Sequence, residues 1–224
     1  MKVYTERGVK RVFAGALDWA GWCRSARDED GALQALADYA PRYADVVRGS
    51  GVAFRPPTAA SGLEVVERLT GDATTDFGAP SVAPAGDREP VDAQQLARLR
   101  TLLEACWAAL DLAAVAAEGA ELQKGPRGGG RELDGILDHV AGAEGGYLGK
   151  LAAPKPKTDG VDPREALALA HAAVLEGLTR AVTEGLPAAG PRGGTLWLPR
   201  YFVRRTAWHA LDHAWELEDR TPPA

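Results

Sequence analysis

From Val91 onward the apolar residues recur at steps of three and four, and this periodicity constrains the fold more than any other feature of the chain. Leu96, Leu99, Leu103, Cys106, Leu110 and Ala113 lie on one face of a helix with 3.6 residues per turn. They predict a long helix that the glycine-rich run Gly125 to Gly130 ends. A second stripe runs through Leu133, Ile136 or Leu137, Val140, Tyr147 and Leu151, and Pro154 with Pro156 closes it. Asp162-Pro163 sets an N-cap ahead of a proline at the first helical position, opening a third helix through Leu167, Ala170, Val174 and Leu178 to Gly185. A fourth begins near Leu198-Pro199 and runs to Arg220, stopped by Pro222-Pro223. Four amphipathic helices of similar length bury their stripes most simply against one another, as a bundle.

Upstream the texture differs. Lys10 to Leu17, carrying Val12 and Phe13, reads as a strand or hairpin, followed by a turn at Trp19 to Cys23 and a charged segment from Arg24 to Asp30. Asp28 has the character of an N-cap for a helix through Ala32, Leu36, Tyr39 and Tyr43, which Pro41 closes or kinks. Leu63 to Leu69 reads as one more strand, and Gly78 to Pro90, with three prolines, as a linker. The expected organisation is therefore α+β overall: a small N-terminal α/β domain over 1–80, a linker over 81–90 and a four-helix bundle over 91–222. No internal repeat is visible.

Apolar residues at 46% and charged residues at 25% of 224 match a folded globular chain and exclude a disordered or rod-like one. No uncharged apolar run reaches bilayer length, and the Met1-Lys2-Val3-Tyr4 start lacks the apolar stretch of a signal peptide. A cytoplasmic protein with no membrane partner is expected. The net charge of −5 argues against extended nucleic-acid binding, so no nucleic-acid partner is expected either. Cys23 and Cys106 are the only cysteines, too few for a disulfide scaffold or a Cys-only zinc site. Any metal must be held by histidines and carboxylates.

Of the four histidines, His209 and His213 stand four residues apart, which stacks both imidazoles on one helix face. That face continues through Leu198, Phe202, Thr206 and Leu217, so the pair points to the bundle interior. The Glu of a zincin motif is absent between them, and the metalloprotease reading is poor. A third ligand has to come from another helix, and His139 neighbours the Ile136 and Val140 stripe. His171 shares the stripe of Leu167, Val174 and Leu178, with a packing or surface role as the first reading and a pocket role as the second. Asp212 and Glu216 are either acceptors for the outer ring N–H groups of the ligands or exposed helix charge. Glu144, a turn and a quarter beyond His139, is placed as a catalytic base near the metal, or as a capping or surface residue. Cys23 is a small buried hydrophobe or a reactive thiol.

The segment Asp138-His139-Val140-Ala141-Gly142-Ala143-Glu144 with Tyr147-Leu148, followed by Arg205-Thr206-Ala207-Trp208-His209-Ala210-Leu211-Asp212-His213-Ala214-Trp215-Glu216-Leu217-Glu218, resembles the DinB/YfiT family of four-helix-bundle metalloenzymes. The resemblance covers about 91–220. It implies an up-down-down-up bundle with His139, His209 and His213 as ligands of a divalent metal, commonly zinc or nickel, and the homodimer common among such bundles. It also implies thiol-dependent transferase or isomerase chemistry on a small-molecule substrate, with bacillithiol, mycothiol or glutathione as the low-molecular-weight thiol cosubstrate. Asp18 to Cys23 and Arg27 to Leu33 resemble the strand, turn and helix-start pattern of HicB-like modules, over about 11–43, with Ala20 where that pattern usually has proline.

Three neutral imidazoles leave a cation its full double charge and at least one coordination position, which is the arrangement of a catalytic and not of a structural site. The expected function is a metal-dependent enzyme, a thiol-dependent transferase or isomerase. Its rivals are a non-catalytic regulatory or partner-binding protein that holds a metal, and a metal-hydroxide hydrolase with the same ligands.

Overall fold

The computed structural model describes residues 1–124 and 130–222. Among these residues, four strands, β1 (Lys2–Arg7), β2 (Val12–Ala16), β3 (Cys23–Ala26) and β4 (Glu64–Thr70), form one mixed sheet in the order β3-β2-β1-β4. β1 with β2 and β2 with β3 are antiparallel, whereas β1 and β4 run parallel. Seven helices complete the described residues: α1 (Glu29–Asp38), α2 (Ala40–Val47), α3 (Ala73–Phe77), α4 (Ala93–Ala116), α5 (Leu133–Leu148), α6 (Pro163–Thr183) and α7 (Pro199–Arg220). No helix among the described residues is long and apolar enough to cross a membrane.

The long helices follow their sequence stripes. Asp92 accepts from the Gln95 backbone while Gln95 returns a bond to the Asp92 N–H, a capping box that starts α4. Asp162 accepts from the Arg164 N–H, and Pro163 costs nothing at a position whose N–H would be unpaired anyway. α7 packs along α4 and α5, and α5 along α6, around an interior of Leu103, Leu110, Ile136, Val140, Val174, Phe202 and Leu211. Of the glycine run expected to end the first long helix, Gly125 to Gly129 lie outside the described residues, as does Pro223; α4 already ends at Ala116.

The N-terminal part departs from the sequence reading in four places, one of them the short helix α3, which has no counterpart there. β1 has no counterpart there, because its centre holds Thr5 and Glu6, polar residues that are fully buried here. β3 falls in the segment taken as turn and charge, since a four-residue strand whose last three residues are half-buried carries no apolar alternation. The helix through Pro41 is two helices: the chain bends at Tyr39, and Pro41 enters the first turn of α2.

Alternation divides the sheet cleanly. Val3, Thr5, Ala14 and Ala16 share one face by register, and Thr5 Oγ1 donates to Glu29 of α1 at 3.1 Å. On the other face Phe13 meets Trp208 of α7 edge-on, with centroids 6.0 Å apart, and the Arg204 guanidinium lies 5.4 Å over the Tyr4 ring. β2, covered on both sides, is buried along its whole length. Trp22 stacks on Tyr43 at 5.5 Å, its Nε1 donating to Leu36 O and the Tyr43 hydroxyl to Ala20 O. Gly21, at φ +91°, lies so close to the long helices that a Cβ would sit 2.9 Å from Cys106 Sγ and from Leu211.

Residues 78–90 are tied down at several points. Glu6 accepts from the backbone N–H groups of Ser81 and Val82, and Glu67 from that of Ala85. Asp87, 2% exposed, takes two 2.7 Å bonds from Arg204 Nε and Nη2, while Arg204 also donates to Ala16 O and Leu17 O. One guanidinium thus joins the sheet, the 78–90 segment and α7. Removing it strands a buried carboxylate and two carbonyls, so Arg204→Ala should lower unfolding stability by about 3–5 kcal/mol. Arg48→Ala, which breaks an exposed pair with Asp45, should stay within about 0.5 kcal/mol. Urea unfolding of the two variants beside the parent chain checks both, and equal effects would contradict the assignment.

Candidate metal centre

His139 sits on α5, His209 and His213 one turn apart on α7, and the packing of these helices brings the three rings together. One nitrogen from each lies within 4.8 Å of the others. His139 Nε2 and His209 Nε2 are 3.3 Å apart, and tetrahedral coordination at about 2.0–2.1 Å from a metal separates its nitrogen ligands by about 3.3 Å. Three ligand-competent imidazoles, one separation already that of a coordination edge, fit a divalent cation. Among the described residues no other group of three or more His, Cys, Asp or Glu side chains has this spacing.

Burial lowers the pKa of both His139 and His209, reinforced by the charge of His213 beside them. At neutral pH these two rings are therefore unprotonated, with lone pairs to donate. His213 is oriented from behind: its Nδ1 lies 2.8 Å from Glu216 Oε2, so an Nδ1–H donor leaves Nε2 to face the other rings. Glu216 is itself fixed by Arg220, whose Nη1 donates to Oε1 at 2.8 Å. The hydrogen bond from His213, with further help from Arg220, holds the Glu216 carboxyl below its ordinary pKa against the cost of burial. Arg220 also donates to Gln123 O and Arg131 O at 2.7 and 2.9 Å. Gly130, at φ +147°, leaves room for it, because a Cβ there would fall 2.5 Å from the guanidinium.

Of the other residues singled out from sequence, Glu216 takes the supporting place expected of it and Asp212 does not. Asp212 pairs with Arg24 of β3 at 3.2 Å. Glu144 is fully buried and faces α4 and α6: Oε1 accepts from Trp107 Nε1 at 2.8 Å, and Oε2 is 3.6 Å from His171 Nε2. Its partners are thus not members of the triad. His171 lies flat on Trp107, with centroids 3.9 Å apart at 13°, a packing role. Burial pushes the Glu144 carboxyl up to about 8 and the His171 imidazole down to about 3, so at pH 7 the pair is neutral and the proton is on the carboxyl. Burial also pushes the Cys23 thiol up to about 12 and the Cys106 thiol up; both are the small buried residues of the first reading, and neither is a nucleophile near neutrality.

Sequence reasoning passed over Arg205, Arg220 and Trp197. Trp197 packs on Tyr147 with centroids 5.2 Å apart, its backbone N–H donating to Lys150 O, and Tyr147 in turn lies 5.9 Å from the His209 ring. Arg205 was legible only as one turn before His209. The fold and site together define a mixed α+β protein with bundle-like helical packing and a three-histidine cluster that can hold a metal ion. The chain matches no family model, no curated protein and no solved structure.

Two outcomes follow from these electrostatics. Glu216→Gln keeps the shape but loses the anion behind His213, and zinc affinity, read by competition with a chelating dye, should fall about 10–100-fold. Glu144→Gln should leave zinc affinity unchanged and alter stability instead. The unfolded carboxyl ionises near its ordinary 4.5, whereas the folded one keeps its proton to about 8, so native stability declines as pH rises across that window. The amide removes this decline: the variant should match the parent near pH 4.5 and exceed it by roughly 3–4 kcal/mol at pH 7.5 in denaturant titrations.

Proposed function

We propose that the chain is a DinB-like metal-dependent enzyme, with His139, His209 and His213 holding zinc or nickel and a low-molecular-weight thiol as cosubstrate for transfer to, or isomerisation of, a small molecule. The observation that carries this reading is the convergence of three imidazoles within 4.8 Å of one another, a cluster that no carboxylate or thiolate joins among the described residues. A divalent cation bound there would retain its full charge and act as a Lewis acid, favouring a thiolate over a thiol.

The remaining work falls to the chain's own residues. His139, the half-exposed member of the triad, marks the side from which small molecules enter; His209 and His213 are 7% and 9% exposed and form the floor. Glu216 accepts at His213 Nδ1 and keeps the opposite lone pair turned inward. Tyr147 and Trp208, with rings 5.9 and 6.1 Å from that of His209, keep water from one flank, which strengthens charge interactions there. Burial raises the Tyr147 phenol, so that ring stays neutral. With both cysteine thiols buried and protonated, the nucleophile has to arrive with the cosubstrate.

The tag-free chain should carry about one divalent metal, and His209→Ala should carry none by elemental analysis of the desalted protein. Titrating bacillithiol, mycothiol and glutathione into cobalt-substituted protein should give a thiolate-to-cobalt charge-transfer band with one of them, lost in His213→Ala. A loaded site that none of the three perturbs would reject the thiol chemistry and favour a hydrolase; a metal-free chain would reject the enzyme reading altogether.

A further inference from the structure

α7 carries three arginines that are buried or nearly so, and their partners differ sharply. Arg204 is saturated by Asp87 and two carbonyls, and Arg220 by Glu216 and two carbonyls. Arg205, 9% exposed, has no ion-pair or hydrogen-bond partner among the described residues, and its Nη1 is a buried donor left unpaired. An arginine cannot shed its proton to escape this situation, so the charge persists.

What surrounds Arg205 is aromatic. Its Cζ lies 4.5 Å from the Trp208 centroid and 5.5 Å from that of Tyr147, and both rings stand about 6 Å from the His209 ring. Cation–π contacts occupy the faces of a guanidinium and leave its N–H edge as the free recognition element. Two further buried polar atoms without partners lie in the same turn of α7, Thr206 Oγ1 and His209 Nδ1. Half of the six such atoms in the described chain therefore fall between residues 205 and 209.

The nearby carboxylates are already committed. Glu216 serves His213 and Arg220, Asp87 serves Arg204, Asp212 serves Arg24, and Glu144 is buried against Trp107 and His171. The turn that borders the triad is thus a desolvated, uncompensated positive site, before any cation adds to it. A buried charge without a counter-charge is costly, and a ligand that brings one recovers that cost.

We infer that Arg205 is a specificity-determining residue, whose N–H edge binds an oxyanionic group, carboxylate or phosphate, of the small molecule placed at the histidine triad. This names the substrate class for the site and rests on the proposed function for what happens there, but the anion contact itself needs no metal. A planar guanidinium pairs with either anion through two parallel hydrogen bonds, while the triad, one turn further along α7, receives the other end of the molecule. Cationic small molecules are disfavoured by the same charge.

The test uses the full chain in two states, stripped of metal by a chelator and reloaded with zinc, at constant ionic strength set by sodium chloride. Succinate and inorganic phosphate are titrated separately by calorimetry, so the two arms tell a carboxylate from a phosphate. At least one should bind the stripped protein, and Arg205→Met should weaken it tenfold or more, while Arg48→Ala, which removes an exposed arginine outside the site, leaves it within about twofold. A second readout separates recognition from a structural role. With no anion present, Arg205→Met should melt no lower than the parent chain, since it removes an unpaired buried charge; a structural arginine would lower the midpoint by several degrees. Should that variant fail to fold, Arg205→Lys keeps the charge and loses the paired donors, and its anion binding should still fall about tenfold. Absence of binding by either anion to the stripped parent chain overturns the inference, as does binding that Arg205 variants retain. A chain that takes no zinc but binds the anion through Arg205 would reject the enzyme reading and leave this one standing.

Discussion

The buried ion pair between Arg204 and Asp87 is the contact on which the arrangement of the other parts depends. A guanidinium spends four hydrogen bonds on a carboxylate from the 78–90 segment and on the carbonyls of Ala16, the last residue of β2, and of Leu17 just after it. Those bonds set the height and rotation of α7 against the sheet. Once α7 is fixed, Trp208 meets Phe13, Trp215 meets Tyr39 at 4.9 Å, and the next turn places His209 and His213 toward α5. A pair so buried is a weak source of net stability, because desolvation offsets most of its attraction. Its contribution is to specify one arrangement, since any other leaves a charge without a partner.

α7 is unusual in being enclosed on nearly all sides while remaining rich in charge. Sixteen of its 22 residues are buried, among them three arginines and two histidines. An enclosed helix is ordinarily apolar all round, so each polar group here requires a reason. For Arg204 and Arg220 the reason is a saturated set of acceptors that positions a segment or, through Glu216, orients His213. For the two histidines it is each other and His139. The polar residues of this helix thus divide into those whose partners lie in the chain and those, Arg205 and Thr206, with side-chain atoms left unpaired among the described residues.

The second buried polar cluster, Glu144 with Trp107 and His171, shows why residue type and spacing alone misplace a catalytic base. Five residues beyond His139 is about 140° around a helix, which turns Glu144 away from α7 and into the space between α4 and α6. There its carboxyl is neutral and hydrogen-bonded. The same arithmetic is favourable for Glu216, three residues from His213 and hence on its side of the helix.

The four long helices, the starts of two of them at Asp162 and Pro199 and the pairing of His209 with His213 were legible because they rest on local periodicity, which the backbone geometry of a single helix enforces. So was the interior placement of the triad, from the stripe that runs through it. The strands β1 and β3 were not, because their residues are polar or few and become strand only when neighbours supply the hydrogen bonds. Sequence spacing also could not say that residues 78–90 are anchored, that Glu144 faces Trp107, or that Arg205 has no counter-charge among the described residues. Each of those is a statement about partners more than 60 positions away or on another helix, and only the tertiary packing, by deciding which donors meet acceptors and which stay alone, settles it.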